Sequence, residues 1–387
     1  MDAENKNGPL KGLIVIDLTR VLAGPYASMI LSDLGARIIK VEPPLGDDSR
    51  EFSPFVNNQS AYFASLNREK ESIKLNLKSE KDKLIFDELI KNADILLENY
   101  KPGTMEKLGY GYKSLTKKHP NLIYASCSGF GQTGPWASKP AYDMIVQGMG
   151  GLMSVTGHEG QEPVRVGTSI GDITAGLFTT IGILASLIDK NKHGNGQMVD
   201  VSMLDCQIAI LENAIARYFA TGESPPPGGS RHPAIAPFEC YRCKDGYIVM
   251  ACGNNAMFER MCKAIHKTEL IEDKRFKTNP ERVENVIQLK QELESLFVTK
   301  NSNFWIEVLE KENIPIGPLN NIEQAVNSEQ IKARNMVVNI KDKNLNNFYV
   351  AGNPIKMSLH NDPKSRQKVP TLDEHRAKLL KEFKIKE

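Results

Sequence analysis

The sequence lacks the features that mark several common classes of protein. Lys and Arg number 49 against 47 Asp and Glu, so the net charge of +2 gives no basic surface typical of nucleic-acid or anionic-membrane binding. The six cysteines lie far apart, which favours reduced core thiols over a disulfide framework. We therefore expect neither a nucleic acid nor a membrane as partner.

Several well-known catalytic and cofactor motifs are also missing. The chain has no P-loop, no GxSxG elbow and no HExxH, and the glycines of GMGGLMSVTG do not form a dinucleotide fingerprint after a strand. Cys240 and Cys243 make a single CxxC without a second pair, in a segment typical of strand, turn and strand. The sequence thus predicts no metal site and no tightly bound cofactor. The polar, acidic N-terminus is not typical of a signal or transit peptide, and we expect a cytoplasmic protein.

Long hydrophobic runs are nearly absent as well. The longest, from Ile173 to Ile188, is shorter than the roughly 20 residues that a membrane span needs, and Asp172 and Asp189 flank it. We expect a buried core helix.

Short apolar strands alternate with amphipathic helices through the first half of the chain. The strand LKGLIVIDL, the helix GPYASMILSDLGA and the strand RIIKVE form a βαβ unit, and SIKLNL, DILLENY and NLIYASCSGFG continue the pattern. This alternation predicts an α/β fold with a Rossmann-like open parallel sheet, which binds ligands beyond the carboxyl ends of its strands. The loops TRVLAGP, NYKPG and SGFGQTGP are therefore candidate ligand loops.

Changes of composition along the chain predict four segments. Residues 1–200 form the N-terminal part of a large domain, and 201–235 hold a long helix and the Pro- and Gly-rich ESPPPGGSRHPAIAP. Residues 236–320 are predicted as a smaller α+β domain. Residues 321–387, rich in predicted strands and closed by a Lys-rich helix, return to the large domain.

Asp172 raises a question because it heads the apolar run without another charge until Asp189. Asp commonly caps a helix by accepting the free amides of its first turn. A carboxylate held in poorly hydrated surroundings at a helix N-terminus is also a way to make an oxygen nucleophile. The local sequence leaves both interpretations open.

Several stretches, taken in order, resemble one family over residues 9 to 380. These are IDLTRVLAGPYASMILSDLGARIIKVEPPLGDDSR, NREKESIKLNLKSE, LLENYKPGTMEKLGYGY, SGFGQTGPWASKPAYD, PVRVGTSIGDITAGL, RHPAIAPFECYRCKDGYI and NIPIGPLNNI. They are similar to the family III CoA transferases, and most of all to members that move CoA from succinyl-CoA to dicarboxylates such as glutarate. The resemblance implies an interlocked homodimer, coenzyme A thioesters as substrates and a carboxylic or dicarboxylic acid as acceptor.

The resemblance also implies roles for particular residues. Asp172 takes the place of the family's nucleophilic aspartate, which forms aspartyl anhydride and aspartyl-CoA thioester intermediates. Tyr142 and Asp143 match positions near the thioester. Stretches that match contacts to CoA are Val21, Leu22, Ala23, Leu75, Asn76, Leu77, Lys78, Asn99, Tyr100, Lys101 and Lys107. Because Leu22 stands where formyl-CoA transferase has a glutamine, we do not expect that enzyme's preference for oxalate and formate.

A glycine loop and several arginines are candidates for acceptor binding. Gly228 and Gly229 resemble the family's mobile glycine loop in a shorter form, followed here by Arg231 and His232; an ordinary linker is the other interpretation. Arginine can hold a second carboxylate through two parallel bonds. The sequence does not rank the four candidates Arg20, Arg50, Arg165 and Arg231.

Two other functions are alternatives to CoA transfer. An alpha-methylacyl-CoA racemase of the same family needs a second acid/base, and racemases carry a histidine where this chain has Tyr142. A non-enzymatic CoA- or nucleotide-binding protein would bind CoA without modification of Asp172. The transferase is the function that the residues favour.

Overall fold

The computed structural model describes residues 7–385, and these divide into two compact units. The first unit is assembled from three stretches, which are the described residues up to 153, residues 165–224 and residues 329–385. The second unit comprises residues 154–164 and 225–328. The four segment boundaries drawn from the sequence stay predictions.

A six-stranded sheet, parallel throughout, forms the centre of the first unit. Its strands are β1 Ile14–Asp17, β2 Arg37–Glu42, β5 Glu71–Lys74, β6 Ile95–Glu98, β7 Ile123–Ser128 and β8 Met198–Ser202. The spatial order is β5-β2-β1-β6-β7-β8, and β1 pairs with β2 on one side and with β6 on the other. This is the doubly wound Rossmann order, so the direction of winding reverses between β1 and β6. The prediction of an α/β fold with an open parallel sheet is confirmed.

Helices cover both faces of the sheet. The helices of this part are α1 Ala23–Asp33, α2 Ala61–Asn67, α3 Glu80–Lys91, α4 Thr104–Leu108, α5 Tyr112–Lys118, α6 Asp143–Met149, α7 Leu152–Val155, α8 Ile170–His193, α9 Met203–Ile210 and α10 Glu212–Thr221. On one face, Ile16 and Leu96 pack with Phe86 of α3, and on the other Val15 packs with Leu31 of α1 and Ile183 of α8. Successive strand residues point to opposite faces, so both faces are apolar. A small hairpin, β3 Phe55–Val56 and β4 Gln59–Ser60, and a 3₁₀ helix Asp48–Glu51 follow β2.

The C-terminal stretch belongs to the first unit. It contains α17 Glu329–Ala333, β12 Val337–Lys341, β13 Tyr349–Ala351, β14 Ser365–Gln367 and α18 Arg376–Glu382. Leu379 of α18 is fully buried in the same core cluster as Phe86. Val338 and Ile340 of β12 pack with Phe63 of α2. The end of the chain therefore supplies part of the core around the sheet.

The second unit is a smaller α+β body with its own core. Its antiparallel sheet joins β9 Phe238–Cys243, β10 Gly246–Ala251 and β11 Ile316–Pro318. Its helices are α11 Asn255–Ala264, α12 Glu269–Glu272, α13 Asn279–Glu284, α14 Val286–Phe297, α15 Ser302–Glu310 and α16 Ile322–Asn327. Tyr241, Phe297 and Trp305 meet edge to face in the core, and the Trp305 indole N–H donates to the Phe297 carbonyl at 2.8 Å. The CxxC segment lies on β9, as the strand–turn–strand interpretation predicted.

Two helical features differ from the expectation. The long helix predicted over residues 203–222 is broken at Leu211 into α9 and α10, although no Pro or Gly stands there. The helix α8 is long and apolar enough to cross a membrane by length and composition, a test that the core helices of soluble proteins also pass. It packs on α1 and β7, yet Leu177, Phe178 and Ile181 on its outer face are exposed, so α8 is only partly the buried helix that we expected.

Candidate active site

The carboxyl ends of β1 and β6 meet where the sheet reverses direction. The turn after β1, Thr19–Ala23, lies beside Asn99, which directly follows β6. The Asn99 side chain accepts the Arg20 N–H at 2.9 Å and donates to the Arg20 carbonyl at 2.8 Å. The guanidinium of Arg20 lies over the Tyr100 ring, 5.8 Å from its centre. The two loops predicted from their places after strands are thus joined at the switch point, where doubly wound sheets bind their ligands.

Close packing of α8 on α1 brings Asp172 to this edge. Asp172 and Gly176 are four residues apart and share one face of α8. A methyl group on Gly176 would come within 2.7 Å of the Ala23 carbonyl oxygen, so only glycine permits this approach. As a result the Asp172 carboxylate accepts a hydrogen bond from the Ala23 N–H, at the start of α1.

The surroundings of Asp172 favour its protonated form. Burial, together with the negative charge of Asp143, raises the pKa of Asp172 to about 7, and the Ala23 N–H opposes this by stabilising the carboxylate. No Lys, Arg or His forms an ion pair with Asp172 in the part of the chain that is described. At slightly alkaline pH the group is therefore an ionised, poorly neutralised carboxylate, as a nucleophile requires.

Asp172 is not the cap of α8, so the capping interpretation is wrong. The helix begins at Ile170 with Ser169 in the cap position, which leaves Asp172 inside the first turn. The amide of Gly171 is satisfied instead by Asp143, whose carboxylate accepts it at 2.8 Å. Since Asp143 does the capping, the Asp172 carboxylate is available to Ala23 and to a substrate.

The neighbouring predicted pair separates into two environments. Asp143 is buried and also accepts from the Gln147 amide at 2.8 Å. Tyr142 precedes it at the cap of α6 and is 75% exposed, so its hydroxyl is open to a ligand. The structure therefore places Asp143 beside Asp172 and leaves Tyr142 at the surface of the first unit.

Sequence reasoning missed Tyr62. This residue lies in the first turn of α2, half-buried against Phe52. Burial and the negative charges of Asp172, Asp47 and Asp143 raise its pKa to about 12, so its hydroxyl keeps its proton close to the Asp172 carboxylate. In the sequence AYFASLN nothing separates Tyr62 from the buried Phe63, because only the tertiary structure brings α2 towards α8.

The remaining residues matched to CoA contacts divide by exposure. The side chains of Leu75 and Leu77 are buried in the core, so at these positions only backbone atoms face a ligand. Val21 and Leu22 are half-buried, and Ala23 is buried at the start of α1. The polar members are exposed, namely Asn76, Lys78, Lys101 and Lys107.

The glycine loop lies in the second unit and is held by residues of that unit. The Gly229 N–H donates to the Gly157 carbonyl at 2.7 Å, and Gly228 forms an isolated bridge with His158. His232 stacks on Phe238 with ring centres 5.1 Å apart, and Arg231 is exposed. The mobile glycine loop and the ordinary linker both stay predictions.

The four candidate arginines differ in their partners. Arg50 donates twice to Glu42 and stacks on Phe63, and Arg20 pairs with Asp48 at 3.1 Å. Arg165 is exposed and donates to the Val166 carbonyl at 3.2 Å. Within residues 7–385, no ion pair engages Arg165, and no group of three or more His, Cys, Asp or Glu could hold a metal.

The family assignment follows from comparison with known proteins. The model of CoA-transferase family III matches residues 10–376. The chain is a family III CoA-transferase. It is an enzyme that transfers CoA between acyl-CoA thioesters and carboxylic acids, and the resemblance found in the sequence is confirmed.

Two curated relatives and one solved structure illustrate the family around this CoA-transferase. It is 46% identical to acetyl-CoA:oxalate CoA-transferase of Acetobacter aceti, covering 97% of this chain and 96% of that protein. It is 38% identical to succinyl-CoA:glutarate CoA-transferase of Mus musculus, covering 97% and 86% respectively. A CAIB/BAIF family protein from Brucella suis is 37% identical, with a TM-score of 0.87 over 98% of this chain and all of that one.

Proposed function

We propose that this CoA-transferase works by double displacement with Asp172 as the covalent nucleophile. The observation that carries the proposal is the Asp172 carboxylate, bonded to the Ala23 N–H, beside Asp143 and without a cationic partner among the described residues. A desolvated carboxylate of this kind keeps its electron pair available to a carbonyl carbon. The Ala23 amide is also suited to stabilising negative charge on oxygen as each tetrahedral species forms.

The first half of the reaction loads CoA onto the enzyme. A carboxylate oxygen of Asp172 attacks the thioester carbonyl, the carbon–sulfur bond breaks, and CoA leaves as a thiolate with an aspartyl–acyl anhydride behind it. The thiolate then attacks the aspartyl carbonyl of the anhydride. This step releases the donor acid as a carboxylate and leaves an aspartyl-CoA thioester.

The second half runs the same steps in reverse on another acid. The acceptor carboxylate attacks the aspartyl-CoA carbonyl, expels the thiolate and forms a second anhydride. The thiolate attacks the acceptor's carbonyl carbon, which gives the new acyl-CoA and restores the Asp172 carboxylate. Water would hydrolyse either anhydride, so the site must exclude it while they exist.

The acceptor that we propose is a dicarboxylate, with succinyl-CoA as donor. Both curated relatives are named for dicarboxylates, oxalate and glutarate, while their donors are acetyl-CoA and succinyl-CoA. Arg165 is our candidate for the distal carboxylate. Its side chain is exposed. The next residue, Val166, donates its N–H to the Gln147 side chain at 2.9 Å, and Gln147 in turn donates to Asp143.

The test combines product analysis with trapping. Purified enzyme is mixed with succinyl-CoA or acetyl-CoA and a panel of mono- and dicarboxylic acids, and new acyl-CoA masses are measured. Hydroxylamine is added during turnover, and the peptide that contains Asp172 is examined for the hydroxamate. A modified Asp172 supports the mechanism, whereas turnover with an unmodified Asp172 peptide contradicts it.

The control variant in this screen is Asp172→Asn, which is the same size but not a nucleophile. A new acyl-CoA that forms with wild type and not with Asp172→Asn supports the proposed role and names the acceptor. Transfer from acetyl-CoA but not from succinyl-CoA would contradict the proposed donor and leave the proposed mechanism unaffected.

We also propose a homodimer in the cytoplasm. The apolar side chains exposed on the outer face of α8, together with Tyr218 and Phe219 on α10, support a protein partner. Light scattering coupled to size exclusion should give twice the 43.1 kDa of one chain. A mass of one chain at micromolar concentration would contradict the dimer.

A further inference from the structure

The turn Thr19–Ala23 has a backbone conformation that its sequence does not favour. Val21 has φ of 66°, in the left-handed region where a β-branched residue is a rare outlier. No strand or helix includes residues 19–22, so their backbone groups need partners elsewhere. Contacts from outside the turn must therefore stabilise this conformation.

Buried and half-buried side chains supply those partners. The N–H groups of three consecutive residues each donate to a side chain: Thr19 to Asp17 at 2.8 Å, Arg20 to Asn99 at 2.9 Å, and Val21 to Asp47 at 3.1 Å. Two of the carbonyls are bonded as well. Lys40 donates to the Thr19 carbonyl at 2.7 Å, and the Asn99 amide donates to that of Arg20 at 2.8 Å. The turn is thus held by side chains on β1 and β2 and on the loops that follow β2 and β6.

Asn99 has a special place in this arrangement. It is the first residue after β6, on the far side of the switch point from the turn that it binds. Its side-chain oxygen accepts the Arg20 N–H and its amide nitrogen donates to the Arg20 carbonyl, as the backbone of a neighbouring strand would do. With both polar atoms bonded to Arg20, the Asn99 side chain has a role that does not need contact with CoA.

The turn ends at Ala23, whose N–H donates to Asp172 and whose carbonyl oxygen would stand 2.7 Å from a Cβ on Gly176, one turn along α8 from Asp172. A shift of the turn by a fraction of an ångström would misalign this bond, because hydrogen bonds weaken steeply with angle and distance. We propose that Asn99 is a positioning residue: by holding the left-handed turn, it keeps the Ala23 N–H aimed at the Asp172 carboxylate and at the oxyanion formed there. The inference rests on the proposed function of Asp172.

Asn99→Ala tests the inference, because it removes both bonds to Arg20 without changing a charge. We expect kcat to fall about tenfold to hundredfold, close to the effect of a weakened oxyanion donor, with KM for acyl-CoA within about twofold of wild type. The acidic limb of the pH–rate profile should move to higher pH, since the Ala23 N–H stabilises the ionised form of Asp172. A purely structural role would not move that limb.

The matched control is Asn92→Ala. Asn92 is exposed at the end of α3, and its amide donates to the Glu88 carbonyl at 2.8 Å; it precedes β6, whereas the site lies after the carboxyl end of that strand. It should leave kcat and the pH profile unchanged. If Asn99→Ala instead raises KM with kcat intact, Asn99 is a CoA contact and the inference is wrong; unchanged kinetics would also overturn it.

A second variant covers a failure of Asn99→Ala to fold. Asn99→Asp has the same size and keeps the acceptor for the Arg20 N–H, but it turns an oxygen to the Arg20 carbonyl in place of the donor, so a loss of kcat with unchanged KM is again expected. The parallel assay of Asp172→Asn separates the two proposals. An active Asp172→Asn enzyme would refute the nucleophile, whereas an inactive one combined with a normal Asn99→Ala enzyme would refute only the positioning role.

Discussion

Two carboxylates accept hydrogen bonds from the same turn, but their pKa values are shifted in opposite directions. Asp47 accepts the Val21 N–H and Asp172 accepts the Ala23 N–H, two residues further on. Asp47 is fully buried, yet Lys40 at 2.8 Å outweighs the effect of burial and holds its pKa well below the usual range. Burial and Asp143 raise the pKa of Asp172 to about 7.

The difference shows what separates a structural carboxylate from the proposed nucleophile. Burial acts to raise both pKa values, so burial alone does not decide the outcome. A cation decides it: Lys40 neutralises Asp47, and a second carboxylate stands next to Asp172 instead. The first arrangement stabilises the fold, and the second keeps an electron pair available at the expense of stability.

The largest contrast should be in activity. Asp172→Asn is expected to lower kcat by about 10⁴-fold or more, because no other group supplies the nucleophile. Circular dichroism should show an intact fold. If the variant transferred CoA at more than a few percent of the wild-type rate, Asp172 would not be the nucleophile and the contrast with Asp47 would be wrong.

The same substitution at the other carboxylate should act on stability. Asp47→Asn removes the ion partner of the buried Lys40, and we expect a loss of about 3 kcal/mol in the free energy of unfolding near pH 7. The native pKa of Asp47 is depressed, so its contribution is present above the unfolded pKa and is lost as the pH falls through the folded value. Urea titrations at fixed protein concentration measure the effect. A difference from wild type that stays constant down to pH 3 would contradict the ion-pair explanation.

Asp172→Asn should change stability in the opposite direction. The native pKa of about 7 lies above the unfolded value, so the folded wild type loses stability as the pH rises from about 4 to 7. The neutral amide avoids this loss. We expect a gain of about 1–2 kcal/mol at pH 8, less than the shift alone implies because the carboxylate is partly exposed, and no gain at pH 4. Equal stability at pH 8 would mean that Asp172 is not desolvated.

The smallest effect concerns the pH profile. Activity should fall on the acidic side of about pH 7 as Asp172 takes up a proton. Asp143→Asn keeps an acceptor for the Gly171 N–H and removes the neighbouring charge, so the acidic limb should move to lower pH. Steady-state rates between pH 5 and 9 measure both. If the acidic limb does not move, it reports the titration of another group. Glu98 is one such group, because burial raises its pKa to about 7.

Part of this site could be predicted from local sequence. The alternation of strands and helices identified the open parallel sheet, and the loops after β1 and β6 were expected at its ligand-binding edge. Asp172 stood out because a lone charge precedes a long apolar run. Tyr62 carried no such signal, since an aromatic residue next to Phe63 in a short helix has the pattern of a core residue.

The sequence by itself determined the order of strands and helices and the apolar faces of the sheet, and it singled out Asp172 as a lone charge before an apolar run, because each depends on residues that are neighbours along the chain. The tertiary structure decided which carboxylate caps α8, which one Lys40 neutralises and where Asn99 directs its amide. These outcomes depend on pairs such as Arg20 with Asn99 and Asp143 with Gly171, which are 79 and 28 residues apart. A pKa and a hydrogen bond are set by distance in space, and the chain brings those partners together only when the sheet is complete.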